Sequence, residues 1–146
     1  MSVLDDLLAE AGLADKAIRI DDNLARLQYG SAFVIAGLSG AAVVAIAPLF
    51  RGVPHGKELA FYKRLLEHNA IMGGIAAFAV QTDGWVVLHA GRPLRGLDPQ
   101  EFETLVSAVG KFADQFDDQL IAEFYMDLPE LTNQTESSGI QLPQTD

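Results

Sequence analysis

Residues Gly30–Phe50 read GSAFVIAGLSGAAVVAIAPLF. Two apolar runs, Ala32 to Leu38 and Ala41 to Phe50, are separated only by Ser39-Gly40, and Gly30-Ser31 stands before the first. Two-residue links of this kind fit tight hairpin turns. The run ahead of them, Leu24 to Tyr29, alternates loosely between apolar and polar. Connections this short force antiparallel neighbours, so residues 24–50 are predicted to form a three-stranded meander. Pro48 lies near the end of the third strand, where a missing amide is best tolerated at an edge or a bulge.

The two later strands are apolar on both faces, whereas an antiparallel sheet backed by helices normally keeps one face polar. The second face therefore needs a cover: the chain's own helices, a twin subunit or another polypeptide. Alternation sends Phe33 and Ile35 to one side and Val34 to the other, without saying which side is which.

The flanking sequence completes an α+β domain. Ser2 followed by Asp5 makes a capping-box variant, and Leu4, Leu7, Leu8 and Ala11 recur at helical spacing before Gly12. A second helix is predicted from about Lys57 to Asn69, with Leu59, Tyr62, Leu65 and Leu66 as its apolar stripe. Gly73-Gly74 ends it. Ile75 to Val80 and Trp85 to Ala90 form a hairpin around Thr82-Asp83-Gly84. Asp98, Pro99 and Glu101 open the last helix as cap, first turn and capping-box partner, and Phe102, Leu105, Val109, Phe112, Phe116, Leu120 and Phe124 step along one stripe. The expected fold is a single α+β domain, an antiparallel sheet of about five strands with three helices in the order α-β-β-β-α-β-β-α, over residues 1–126. Residues 127–146 lack periodicity and are predicted to be a flexible polar tail.

Composition narrows the function. With 146 residues and 49% apolar content, one well-filled core is expected. The net charge is −10, from −4 over residues 1–25, +4 over 26–97 and −10 over 98–146. A surface this acidic repels phosphate backbones, which excludes nucleic acid as a partner. Apolar runs fall far short of the ~20 residues of a membrane span, and the N-terminus lacks a signal-peptide pattern, so a cytosolic home without membrane insertion is expected. The chain has no cysteine, hence no disulfide, thiolate zinc site or cysteine nucleophile.

Chemistry is hard to find. His55, His68 and His89 stand apart, with no metal-ligand spacing and no nucleophile context. Gly37-Leu38-Ser39-Gly40 lacks the lysine and hydroxyl of a phosphate loop. The acids of the last helix lie mainly off its apolar stripe, as a solvated surface does. No catalytic residue, metal or cofactor is predicted; the chain reads as a binding protein.

The segment Phe61-Tyr62-Lys63-Arg64-Leu65-Leu66-Glu67-His68-Asn69-Ala70 is similar to the helix-plus-asparagine signature of the class I type III secretion chaperones, the Tir chaperone family. The Gly-Gly strand, the Asp83-Gly84 hairpin carrying Trp85-Val86-Val87-Leu88, the Pro93-Leu94 to Leu97-Asp98 entry to the last helix, the pI near 4.5 and the order of elements resemble that family too, over roughly residues 2–125. The resemblance implies a homodimer in the bacterial cytoplasm that binds the N-terminal, non-globular segment of a secreted effector and keeps it secretion-competent without ATP. The double-sided apolarity nominates Leu4, Leu8, Leu24, Leu27, Phe33, Ile35, Val44 and Ile46 as client contacts. Tyr62, Leu65, Leu66, Ile71, Met72, Ile75 and Phe78 offer more apolar surface than one small sheet needs, and are the expected dimer interface. The other reading is a dimeric α+β signalling or scaffold module with no unfolded client.

Overall fold

The structure, a computed structural model, describes residues 2–126; the polar tail expected at 127–146 lies outside them. Helix α1 (Val3–Glu10) starts as the sequence dictates: Ser2 Oγ accepts from the Asp5 amide at 3.1 Å, and Asp5 accepts from the Ser2 amide at 3.2 Å. Four strands follow, β1 (Ala17–Asp21), β2 (Leu24–Tyr29), β3 (Ala32–Ser39) and β4 (Ala42–Phe50). After helix α2 (Glu58–Met72) come β5 (Ala77–Val80) and β6 (Val86–Pro93), then helix α3 (Pro99–Leu120), which runs into a π-helical turn, Ile121–Tyr125.

The sheet has six strands in the order β1-β2-β3-β4-β6-β5, every neighbouring pair antiparallel. The fold is α+β, with one strand more than the meander predicted. The extra strand, β1, is an edge strand whose isoleucines, Ile18 and Ile20, are exposed, so it contributes little to the core that apolar patterning reports.

The core lies on one side of the sheet. Helix α3 crosses β3 and β4 and buries Phe102, Leu105, Val106, Val109, Ala113, Phe116 and Leu120, with Phe112 at the margin. Its start uses the predicted box: Asp98 accepts from the Glu101 amide at 2.7 Å, with Pro99 in the first turn. Gly110 is required where α3 closes on β2, because a Cβ there would lie 2.3 Å from the Tyr29 ring. Gly30, at φ +59°, turns the chain from β2 to β3. There the Ser31 amide donates to Asp114 at 2.8 Å, and its hydroxyl lies 2.7 Å from Asp117, pinning the turn to α3.

Helix α1 adds Leu4, Leu7 and Leu8 to the same core, and an Arg19–Asp5 ion pair ties it to β1. Helix α2 buries Phe61, Leu65, His68 and Met72, a stripe rotated from the one the leucines suggested: Leu59, Tyr62 and Leu66 face outward. Asn69 fastens the end of α2 to β5, accepting from the Phe78 amide at 2.7 Å and donating to the Phe78 carbonyl at 3.4 Å. At the far end, the Tyr125 hydroxyl donates to the Gly52 carbonyl at 2.7 Å and its ring stacks on Phe50 at 4.3 Å. Desolvation in this packing raises the Tyr125 phenol above the usual tyrosine range, and Tyr62 adds a smaller push in the same direction.

Candidate functional site

Helices α1, α2 and α3 feed one core, and among the described residues nothing packs over the opposite face of the sheet. Register identifies this face row by row, because residues paired across antiparallel strands share a side. Ile18, Arg26, Ile35, Ile46, His89 and Ala77 form one row across all six strands. Leu24, Gly37, Val44 and Gly91 form the next on one side. On the other side lie Gln28 with Phe33, and Pro48 with Val87 and Ala79.

Ile35, Trp85 and Val87 are buried, yet none belongs to the helix-side core. Around them Leu24, Phe33, Val44 and Ile46 are half-buried, an apolar surface on the side no helix reaches. Its polar groups are few. The Arg26 guanidinium lies over the Phe33 ring at 4.1 Å, and Arg51 sits 5.9 Å from the Trp85 ring at the rim. Desolvation holds the His89 imidazole below its ordinary range.

The nominated client contacts split into two groups. Leu24, Phe33, Ile35, Val44 and Ile46 come together on the open face. Leu4, Leu8 and Leu27 do not: Leu4 and Leu27 are 0% exposed and all three sit in the helix-side core, where α1 packs with α3 against the sheet. Their side chains hold the protomer together and cannot meet a client without unfolding it. Sequence reading missed Ile18, Arg26, Pro48, Val87 and His89. The signal for Arg26 was present, since it shares a strand face with Leu24 and Gln28.

The nominated interface residues split likewise. Tyr62, Leu66, Ile71 and Ile75 are exposed, Leu66 at 67% and Ile71 at 70%, with Leu59 beside them at 84%. Leu65, Met72 and Phe78 are core residues of the protomer, because the inward stripe of α2 runs 61-65-68-72 and Phe78 shares the inner face with Leu88. A charge at Phe78 would therefore unfold the protomer itself, rather than separate a pair of intact ones. The Arg64 guanidinium donates to Glu123 at 2.9 and 2.8 Å and to Glu67 at 2.6 Å, bracing the exposed side of α2 against the end of the last helix. That pairing lowers the Glu123 carboxyl. His68 stacks on Phe116 at 4.3 Å, its Nδ1 without a hydrogen-bond partner among the described residues. Burial first, and Arg64 second, hold its imidazole below the usual range.

Among the described residues no three histidines or carboxylates gather to hold a metal, and no helix is long and apolar enough to cross a membrane. Helices cover one side of the sheet, and the other side presents apolar side chains with Arg26 among them. The chain belongs to the Tir chaperone protein (CesT) family, whose model matches residues 2–115. It is similar in fold to a chain of the heterodimeric ExoU–SpcU complex from the type III secretion system of Pseudomonas aeruginosa. That match has a TM-score of 0.60 and 19% identity, and covers 85% of this chain and 99% of that one. A chain of the ExsC–ExsE complex matches with a TM-score of 0.59 and 20% identity, covering 82% and 97%. No curated protein matches the chain in sequence.

Proposed function

We propose that this chain is a cytosolic, ATP-independent type III secretion chaperone. It holds the N-terminal, non-globular segment of an effector against the open face of its sheet, keeping it soluble and secretion-competent, and performs no catalysis. The observation that carries this reading is the row Ile18-Arg26-Ile35-Ile46 with Phe33 and Val44 beside it, an apolar surface on a sheet whose core already fills the other side. An extended polypeptide matches such a surface, since alternate side chains can dock while its backbone remains extended. Membership in a chaperone family and the fold shared with chains of the ExoU–SpcU complex of a type III secretion system and of the ExsC–ExsE complex support it.

The assembly we propose is a homodimer through the outer flank of α2, where Leu59, Tyr62 and Leu66 are exposed along one helical stripe, with Ile71 and Ile75 exposed near its C-terminal end. A twin subunit on this flank leaves the open face available. The experiment is co-expression with effectors encoded nearby, followed by purification and identification of the bound chain. Ile46→Asp should remove the effector and leave the melting temperature nearly unchanged, and Leu66→Asp should give a monomer by light scattering. An Ile46→Asp protein that is folded and still carries its effector would place the client elsewhere. A wild-type protein that is dimeric but carries no client in any host with the secretion genes would favour a scaffold module instead.

A further inference from the structure

The open face is apolar, but it is not neutral. Among the described residues, Asp21, at the end of β1, is the one carboxylate in any strand. The other acids lie in helices, turns and loops. No open-face position of β2 to β6 carries a negative charge, and on β2, one strand in from the edge, stands Arg26 beside Ile35. Among the described residues its guanidinium makes no hydrogen bond and no ion pair; it lies over the Phe33 ring at 4.1 Å.

An occupant that covers Ile35 and Ile46 must also cover Arg26, their neighbour in the same row. Covering it strips water from five N–H donors, and a buried unpaired cation is costly. The occupant must bring an acceptor. A carboxylate is the matching one, because it takes two parallel N–H bonds from the planar fork and cancels the charge. The net charge of −10 pulls the other way, toward basic partners. Among the described residues the carboxylates lie in helices, turns and loops and at the end of β1, and salt screens their pull beyond about 8 Å at physiological ionic strength. Arg26 acts at contact, so it decides the residue that sits on it.

We propose that the occupant of the open face is an extended apolar segment carrying an aspartate or glutamate, and that Arg26 selects it. This rests on the chaperone reading of the face and names the chemistry of its client.

The test uses the full chain as bait for a displayed library of random 12-residue peptides, with Arg26→Met, Arg26→Glu and Ile46→Asp as parallel baits whose melting curves are recorded first. Binders to wild type should be enriched in Asp or Glu beside Ile, Leu, Val or Phe. The enrichment should vanish with Arg26→Met and turn to Lys or Arg with Arg26→Glu. A synthetic copy of the best binder should lose about tenfold in affinity when its acid becomes the amide, and less than about twofold when the bait is Arg26→Met. Binders that Ile46→Asp removes, but that are basic or without charge preference, would overturn the acidic occupant and leave the holding function standing. A selection with no binder that Ile46→Asp removes would overturn both.

Discussion

The two faces of the sheet are built from the same strands and use opposite residues. Toward the helices the strands present Ala25, Ala32, Ala36, Ala45 and Ala47 among the larger Leu27, Val34, Val43 and Leu88. Away from them they present Ile18, Leu24, Phe33, Ile35, Val44, Ile46 and Val87. The helix-side face is small because α3 brings its own bulk: Phe102, Leu105, Val109 and Phe116 need room against β3 and β4, and close packing fixes the summed volume. Among the described residues the open face meets no such counterpart, and its large side chains stand where a partner would meet them. An alanine-rich strand is thus the mark of a helix-covered side, and the isoleucines mark the other.

The largest way to test this contrast is a buried charge on each side. Leu27→Asp should abolish soluble folding or cost more than about 4 kcal/mol, since it places an unpaired carboxylate in the core. Ile46→Asp should lower the melting temperature by no more than a few degrees; equal losses in thermal melts would show that the open face is covered within the protomer. Next comes volume. Ala45→Leu, under α3, should cost about 1–3 kcal/mol by overpacking, while Val44→Leu on the open side should stay within about 0.5 kcal/mol, both read from urea midpoints.

Histidines extend the contrast to pH. His68, on the helix side, has its folded pKa lowered by burial. The unfolded chain then binds the proton better, so His68 favours folding above the unfolded value of about 6.5 and loses that contribution as pH falls below it. Melting temperature should therefore drop as pH falls below about 6.5, and His68→Gln should flatten part of that drop. His89, exposed on the other side, is shifted in the same direction, and His89→Gln should flatten it less. A comparably small change is expected in Arg26→Met, which forgoes one surface cation–π contact and should move stability by about 0.5–1 kcal/mol or less in the same urea series.

Much of this architecture was legible because its causes are local. The capping boxes at Ser2 and Asp98, the Asp83-Gly84 turn and the stripe of α3 each depend on residues within a few positions of one another. The open face was half legible. Alternation grouped Phe33 with Ile35 and Val44 with Ile46, but a strand apolar on both sides offers no polar mark to say which set turns outward. That choice is made by α3, about 60 residues downstream. Leu4 and Leu8 were misplaced for a related reason: a leucine stripe shows that a helix buries one side, not what lies over it. On α2 the leucines drew attention to the exposed flank, while the true inward stripe includes a histidine. The π-helical turn has no local signature at all, since Tyr125 is held by Phe50 and Gly52.

Asn69 has one more consequence. A sheet with a sticky face and two bare edges invites other sheets to pair with it and grow, strand upon strand, into aggregates. At β5 the outward amide and carbonyl of Phe78 are already taken by the side-chain amide of Asn69, the same pair of bonds a foreign strand would seek. One carboxamide thus acts as a strand one residue long and closes that border of the sheet. A foreign strand pairing along β5 would first have to displace Asn69 from Phe78.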